Sequence, residues 1–219
     1  MRPMKTPELS DAVYYQIFDF KRGRGEKRKI QIVEALIECL ATRGLDNTSF
    51  ETLGKLVGMN RTHVAYYFQN RDELIRTAVR YVFVVGQQET ITRIEKASAG
   101  RARFQASIEG WFEWLHRHPR YACVVGLFYY LASYDKSYRA IQNSIRSMGE
   151  ERILSTLAPF VEKGKISAPK ARTVARSAQV MITGALFNFY AADYPLNLRQ
   201  LQKQTVKDAF ALLEANSNV

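Results

Sequence analysis

The sequence predicts an all-α fold on three observations. Apolar residues recur at helical spacing through most of the chain. No stretch shows the two-residue alternation of a strand. Glycine and proline are few, 12 and 6 in 219 residues, which argues against the many turns of an all-β domain. With 47% hydrophobic and 24% charged residues the chain is neither disordered nor fibrous, and its length suits one large domain or two small ones.

Caps and stripes justify each element in turn. Ser10-Asp11 can cap a short helix over residues 12–20, with Val13, Tyr14, Ile17 and Phe18 at helical spacing. A basic, glycine-broken run, residues 21–25, follows. From Glu26, the residues Ile30, Val33, Leu36, Ile37, Leu40 and Ala41 form one stripe, which Gly44 stops. Thr48-Ser49-Phe50-Glu51 fits a capping box, the Thr48 hydroxyl taking the Glu51 amide and the Glu51 carboxylate reaching back. The short helix behind it turns Leu53, Leu56 and Val57 inward and stops at Gly58. Asn60 can cap a third helix, residues 61–68, with Val64 and Phe68 one turn apart. Asn70 caps a fourth, with Glu73 at its third position, running to about Lys96.

Beyond Gly100, Phe104, Ile108, Trp111, Phe112 and Leu115 form another stripe, broken at His118-Pro119. Residues 121–134 are apolar nearly all round, the pattern of a helix buried on several sides. Residues 137–161 are amphipathic and end near Gly164. Pro169 can open a helix running to about Asp193, and residues 198–214 make the last one.

The net charge is +11 and the pI about 9.7, which favours polyanions: nucleic acid, an anionic membrane or an acidic small molecule. Residues 1–76 hold 13 basic and 10 acidic side chains, residues 77–219 hold 19 and 11, so most of the excess is C-terminal. No signal-type apolar stretch opens the chain, and residues 121–134 are too short for a bilayer, which needs about 20. No membrane partner is expected. Cys39 and Cys123 both lie in apolar helical patterns and read as buried free thiols, as suits a reducing cytoplasm. No catalytic site, metal or cofactor is expected. His116 and His118 point in different directions on a helix, no cysteine joins them or His63, and neither a Gly-rich phosphate loop nor a convincing carboxylate pair occurs.

Residues 32–74 carry the densest pattern. Ala35-Leu36, Gly44, Thr48-Ser49, Leu53-Gly54, Val57-Gly58-Met59-Asn60, Tyr66-Tyr67-Phe68 and Arg71-Asp72-Glu73-Leu74 supply caps, turn glycine and core positions in register. This segment, about a fifth of the chain, resembles the DNA-binding domain of the TetR family. The resemblance implies an N-terminal three-helix helix-turn-helix domain, residues 26–76, behind an extension, residues 1–25. It implies a C-terminal helical effector-binding and dimerisation domain, residues 77–219, joined to the first by the long helix from Arg71. The implied function is that of a dimeric, ligand-responsive regulator, a repressor in the commoner case, on a pseudo-palindromic double-stranded DNA operator. A different reading stays open: a helical small-molecule carrier or partner-binding module with a non-functional helix-turn-helix.

Within the motif, Gly58 allows the sharp turn, and Leu53, Val57, Val64 and Phe68 bury one face. That leaves Arg61, Thr62, Ala65 and Tyr66 outward, with Asn60 at the N-terminus of the recognition helix. Arg61 suits a guanine edge, and Thr62 a thymine methyl or a phosphate. His63, Tyr66 and Tyr67 suit phosphate contacts, which set register; Tyr67 equally suits packing on the core. By the resemblance, Arg71 matches a phosphate-contacting lysine and Thr48 a backbone contact at a helix N-terminus. Two positions depart from the family. Ala65 stands where a tyrosine is usual, a contact that Tyr66 or Tyr67 can replace. Gly54 stands at a small, alanine-like position, at about 1 kcal/mol of helix stability. Arg22 and Arg24 belong to a run, residues 21–29, of six basic residues and one acid, which is either a minor-groove arm or a solvated linker.

The resemblance places a small apolar or amphipathic effector in the C-terminal half. There Trp111, Trp114, Phe128, Tyr129, Tyr130 and Tyr134 are either its wall or plain core. The positive balance of that half favours an acidic effector, such as an acyl chain with a carboxylate or phosphate head. The last two helices resemble the family's dimerisation pair, with Ala178, Met181, Ile182, Ala185, Phe189 and Phe210 as interface candidates in a four-helix bundle.

Overall fold

A computed structural model describes residues 25–215. The expected helix at 12–20 and the candidates Arg22 and Arg24 lie outside the described residues. Among these residues the chain forms nine α-helices, one 3-10 turn and no strand. In order they are α1 (Glu26–Arg43), the 3-10 turn Leu45–Asn47, α2 (Phe50–Val57), α3 (Arg61–Tyr67), α4 (Arg71–Lys96) and α5 (Arg101–Arg117). Then follow α6 (Tyr121–Tyr134), α7 (Lys136–Glu162), α8 (Ala168–Ala191) and α9 (Leu198–Glu214). No helix among the described residues is long and apolar enough to cross a membrane.

The chain divides into two compact units, one running to Val85 and including Cys123–Leu127, the other formed by Gly86–Ala122 and the residues from Phe128 on. The first unit is built on α1. Its stripe of Ile30, Ile32, Val33, Leu36 and Ile37 is buried, as are Leu53 of α2, Val64 of α3 and Leu74, Ala78 and Val82 of α4. Of the residues expected inward, Ile30, Val33, Leu36, Ile37 and Leu53 are buried and Leu40, Ala41 and Val57 half-buried, but Leu56 is 43% exposed because it lies on the outer side of the short α2. A polar link joins α1 and α4: the Tyr81 hydroxyl donates to the Glu34 carboxylate.

The helix ends show where local chemistry decides and where it does not. Gly44, at φ 76°, ends α1, and Asn70 accepts the Glu73 amide at 2.8 Å as α4 begins. The capping box expected at Thr48 is absent. Ser49 is the N-cap of α2, its Oγ accepting the Thr52 amide at 3.1 Å, and Glu51 pairs instead with Lys55. Thr48 is fully buried, donating to the Leu45 carbonyl at 2.6 Å and accepting from Arg71 Nε at 2.9 Å. Two adjacent hydroxyls compete for one cap, and the contact with Arg71, 23 residues away, decides between them. Ser49→Ala is expected to cost about 1 kcal/mol, measurable by urea unfolding.

In the second unit α5 is the central element. Phe104, Ile108, Phe112 and Leu115 are buried along it, and α7, α8 and α9 all pack on it. Arg101 at its start binds Glu214 of α9 at 2.8 Å and lies 4.2 Å from the Phe210 ring centroid. The helix α6 departs from expectation. Tyr121, Val124, Phe128 and Ala132 are buried, but Cys123, Tyr130, Ser133 and Tyr134 are exposed. An apolar count over-reads tyrosine, whose hydroxyl keeps one end of the ring at ease in water. Cys123 is likewise exposed rather than buried, whereas Cys39 is buried and its thiol donates to the Asn47 carbonyl at 3.1 Å.

Candidate nucleic-acid interface

The pair α2 and α3 is fixed from within by two glycines and one cap. Gly58, at φ 67° and ψ 34°, takes the left-handed conformation that lets the chain leave α2 and reverse. Gly54 solves a different problem. A Cβ there would stand 2.6 Å from the Met59 carbonyl oxygen, so the turn can close on α2 only where no side chain intervenes. The expected helix-weakening role of Gly54 is therefore replaced by a steric one: the fold requires the missing side chain. The Met59 amide donates to the Gly54 carbonyl at 2.8 Å and locks the turn.

Asn60 then caps α3, its Oδ1 accepting the His63 amide at 2.8 Å. Val64 is fully buried and Phe68 nearly so, which fixes the rotation of the short helix. Arg61, Thr62, His63, Ala65 and Tyr66 are all exposed as a result, and Tyr66 is 83% exposed. Tyr67 is half-buried, edge-on to Tyr66 with centroids 5.2 Å apart, and its ring abuts Gly25 at the start of α1.

Two expected contacts are rearranged. Thr48 has no exposed surface, so its side chain cannot serve the backbone contact expected of it. Arg71 is exposed, but its guanidinium donates to the Thr48 hydroxyl and to the Leu45 carbonyl, clamping the 3-10 turn to the start of α4. The exposed hydroxyl at the N-terminus of α2 is that of Ser49. Sequence reading passed over it because Thr48 fits the family position equally well.

The signature of the "Bacterial regulatory proteins, tetR family" matches residues 32–78, the stretch whose geometry has just been described. A curated relative, the HTH-type transcriptional regulator BetI of Proteus mirabilis, is 22% identical over 191 residues, covering 84% of this chain and 91% of its own. These likenesses support a TetR-family transcriptional regulator. Solved structures share its fold over most of their length. One is a regulator from Saccharomonospora viridis in complex with choline: TM-score 0.72, 14% identity, 83% of this chain and 94% of that one. Another is AibR in complex with isovaleryl coenzyme A and operator DNA: TM-score 0.63, 15% identity, 83% and 97%. This TetR-family chain is a transcriptional regulator with a DNA-binding domain, and its relatives are regulators rather than enzymes.

In the C-terminal unit of this TetR member the six candidate wall residues do not share one surface. Trp111, Trp114 and Phe128 are buried, the two tryptophans edge to face at 5.1 Å. Tyr129 packs on Phe187 at 4.8 Å, while Tyr130 and Tyr134 are exposed and contact each other at 5.3 Å. A groove of about 640 Å³ between α4 and α5 is lined by none of them. Its arginines are neutralised on the spot, Arg93 by Glu109 and Glu113 and Arg117 by Glu89.

The dimerisation candidates divide as well. Ala178 and Ile182 are buried inside their own subunit, because α8 packs on both α7 and α9. Met181, Ala185, Phe189 and Phe210 keep partial exposure, with Phe210 edge-on to Phe104 at 5.2 Å. The open line on α8 runs through Val180, Gly184 and Asn188. Periodicity marks an apolar stripe but cannot say which of two stripes on one helix faces its own subunit.

Proposed function

We propose that this regulator is a ligand-responsive repressor that binds a pseudo-palindromic operator as a dimer. One observation carries the reading: a capped α3 whose buried Val64 turns Arg61, Thr62, His63 and Tyr66 together to the surface. Arg61 takes the guanine-reading role and Thr62 meets a thymine methyl or a phosphate. His63, Tyr66 and the N-cap Ser49 take phosphates, setting register where Ala65 offers nothing. Asn60 acts through its cap, and Arg71 acts by holding the turn before α2.

The dimer reading draws on family members, which bind operators as dimers, and on α8. Val180 is 65% exposed, and space around Gly184 is open, so a second α8 can approach closely along that line. An effector in the C-terminal unit that binds one spacing of the two recognition helices better than the other shifts DNA affinity by that difference. The complex of AibR with both an acyl coenzyme A and operator DNA supports the effector part of the reading.

The test is selection of bound genomic fragments at physiological salt by wild type and by an Arg61→Ala/Tyr66→Ala double variant. Wild type is expected to recover a shared pseudo-palindrome, with affinity falling steeply as salt rises. The double variant is expected to lose about 100-fold in affinity for it, from a bidentate base contact and a phosphate contact together. Recovery of no shared sequence at any salt would favour the carrier reading.

A further inference from the structure

Arg152 of α7 stands out among the charged groups of the C-terminal unit. Its neighbours in sequence are neutralised: Glu150 by Arg146 at 2.6 Å and Arg176 at 3.9 Å, Glu151 by Arg172 at 3.5 Å. Arg152 itself makes no ion pair among the described residues. Its Nε and Nη2 are fully buried and have no hydrogen-bond partner among them. These two N–H groups form one edge of the guanidinium, the edge that grips a carboxylate or phosphate with two parallel hydrogen bonds. The flat face is already in use, its central carbon 5.3 Å from the Trp111 ring centroid.

Burial pulls the guanidinium down to about 10 with no nearby carboxylate to raise it, so it remains cationic at neutral pH. A buried cation with an entire donor edge unused is costly, and native interiors rarely keep one without a partner of some kind. The surroundings supply the remainder of a recognition site. One turn before Arg152, Gly149 leaves room for the Gln179 amide of α8, whose Oε1 is buried without a partner among the described residues; a Cβ on Gly149 would stand 2.6 Å from it. Gln142, two turns before Gly149 on the same stripe, also has a buried, unpartnered Oε1. The packing of α7 on α8 around them is apolar, with Ile153 and Leu157 of α7 and Val174 and Ala178 of α8 buried.

We propose that the effector of this protein is an oxyanion, a carboxylate or a phosphate on an apolar body, and that Arg152 grips it through its Nε and Nη2 edge between α5, α7 and α8. The proposal rests on the ligand-responsive reading and gives that ligand its chemistry. Gln179 Oε1 accepts a hydrogen bond from a hydroxyl or N–H on the effector's polar neck, and Trp111 holds the guanidinium plane in place. A quaternary ammonium such as choline is excluded from this position by the arginine's own charge. The groove between α4 and α5 is not the anion site, because its arginines are already paired.

The test uses the full chain and four probes of one chain length: octanoate, octyl phosphate, 1-octanol and octyltrimethylammonium. Melting temperature and intrinsic tryptophan fluorescence are followed for wild type, Arg152→Met and Arg152→Lys. At least one of the two anions is expected to raise the wild-type melting temperature and change its fluorescence, while the alcohol and the ammonium do neither; the arm that responds says which oxyanion is taken. Arg152→Met is expected to bind that anion at least about tenfold more weakly, having lost a charge-assisted pair of hydrogen bonds. Without ligand it is expected to melt no lower than wild type, because an apolar chain replaces an uncompensated charge. Arg152→Lys, which keeps the charge and loses the fork, is expected to fall between them. Failure of both anions, an equal response to the alcohol, or full anion affinity in either variant would overturn the proposal. None of these readouts involves DNA, so operator selection by the same protein separates failure of the anion site from failure of the regulator reading.

Discussion

Gly54→Val is expected to destabilise the DNA-binding unit by about 3 kcal/mol and to abolish operator binding. Any side chain at this position meets backbone, not a flexible neighbour. The Met59 carbonyl oxygen would lie 2.6 Å from the new Cβ and the Asn60 carbonyl carbon 3.3 Å. Relief requires the turn to move outward, and the turn carries Asn60, the cap from which α3 starts. Removing a glycine from a helix would ordinarily gain up to about 1 kcal/mol, but that gain is smaller than the overpacking cost and does nothing to restore the position of Arg61. Urea unfolding monitored by circular dichroism measures the first effect, and titration of the selected operator the second. A variant that folds like wild type and binds DNA would show that the turn tolerates displacement. Gly54→Ala is expected to lie between the two, with the same contact and a smaller side chain.

The same residue illustrates what sequence reading delivers and where it stops. Helix ends were legible wherever the deciding interaction is local. Gly44, Gly58, Asn60 and Asn70 each act within a few residues of themselves, and each marks in the structure the boundary it marks in the sequence. The outward face of α3 was legible for the same reason, since Val64 and Phe68 fix a seven-residue helix completely. Where two chain segments meet, the sequence was silent. Gly54 reads as a weak helix residue until the Met59 carbonyl is seen above it. Thr48 and Ser49 are interchangeable as caps until Arg71 arrives from 23 positions away. Ala178 and Ile182 look like an interface because they are small or apolar at helical spacing, but that spacing is shared by the stripe that packs on their own subunit. Arg152 was invisible for a related reason. Arginine in an amphipathic helix normally lies in water, and only the packing of α5 and α8 against α7 shows that this one does not.

Trp114→Ala is the second large effect, expected to destabilise the C-terminal unit by about 3–5 kcal/mol. The side chain is 1% exposed and is surrounded by groups that cannot follow it inward. Trp111 meets it edge to face at 5.1 Å, Tyr121 lies 6.1 Å away, and α4 approaches so closely that a Cβ on Gly86 would stand 2.7 Å from its ring. Truncation therefore leaves a cavity rather than a collapse. Tyr130→Ala and Tyr134→Ala are expected to change stability by less than about 0.5 kcal/mol, since both rings are more than half exposed. Thermal unfolding of the three variants separates two roles that look alike in sequence. An aromatic residue in an effector wall can be shortened with loss of the response and little loss of fold. Trp114 instead fixes the distance between α4 and α5, so the fold itself is expected to fail first. If Trp114→Ala melts within a few degrees of wild type, the ring is a wall residue and the neighbouring Trp111 loses the support that holds Arg152 beneath it.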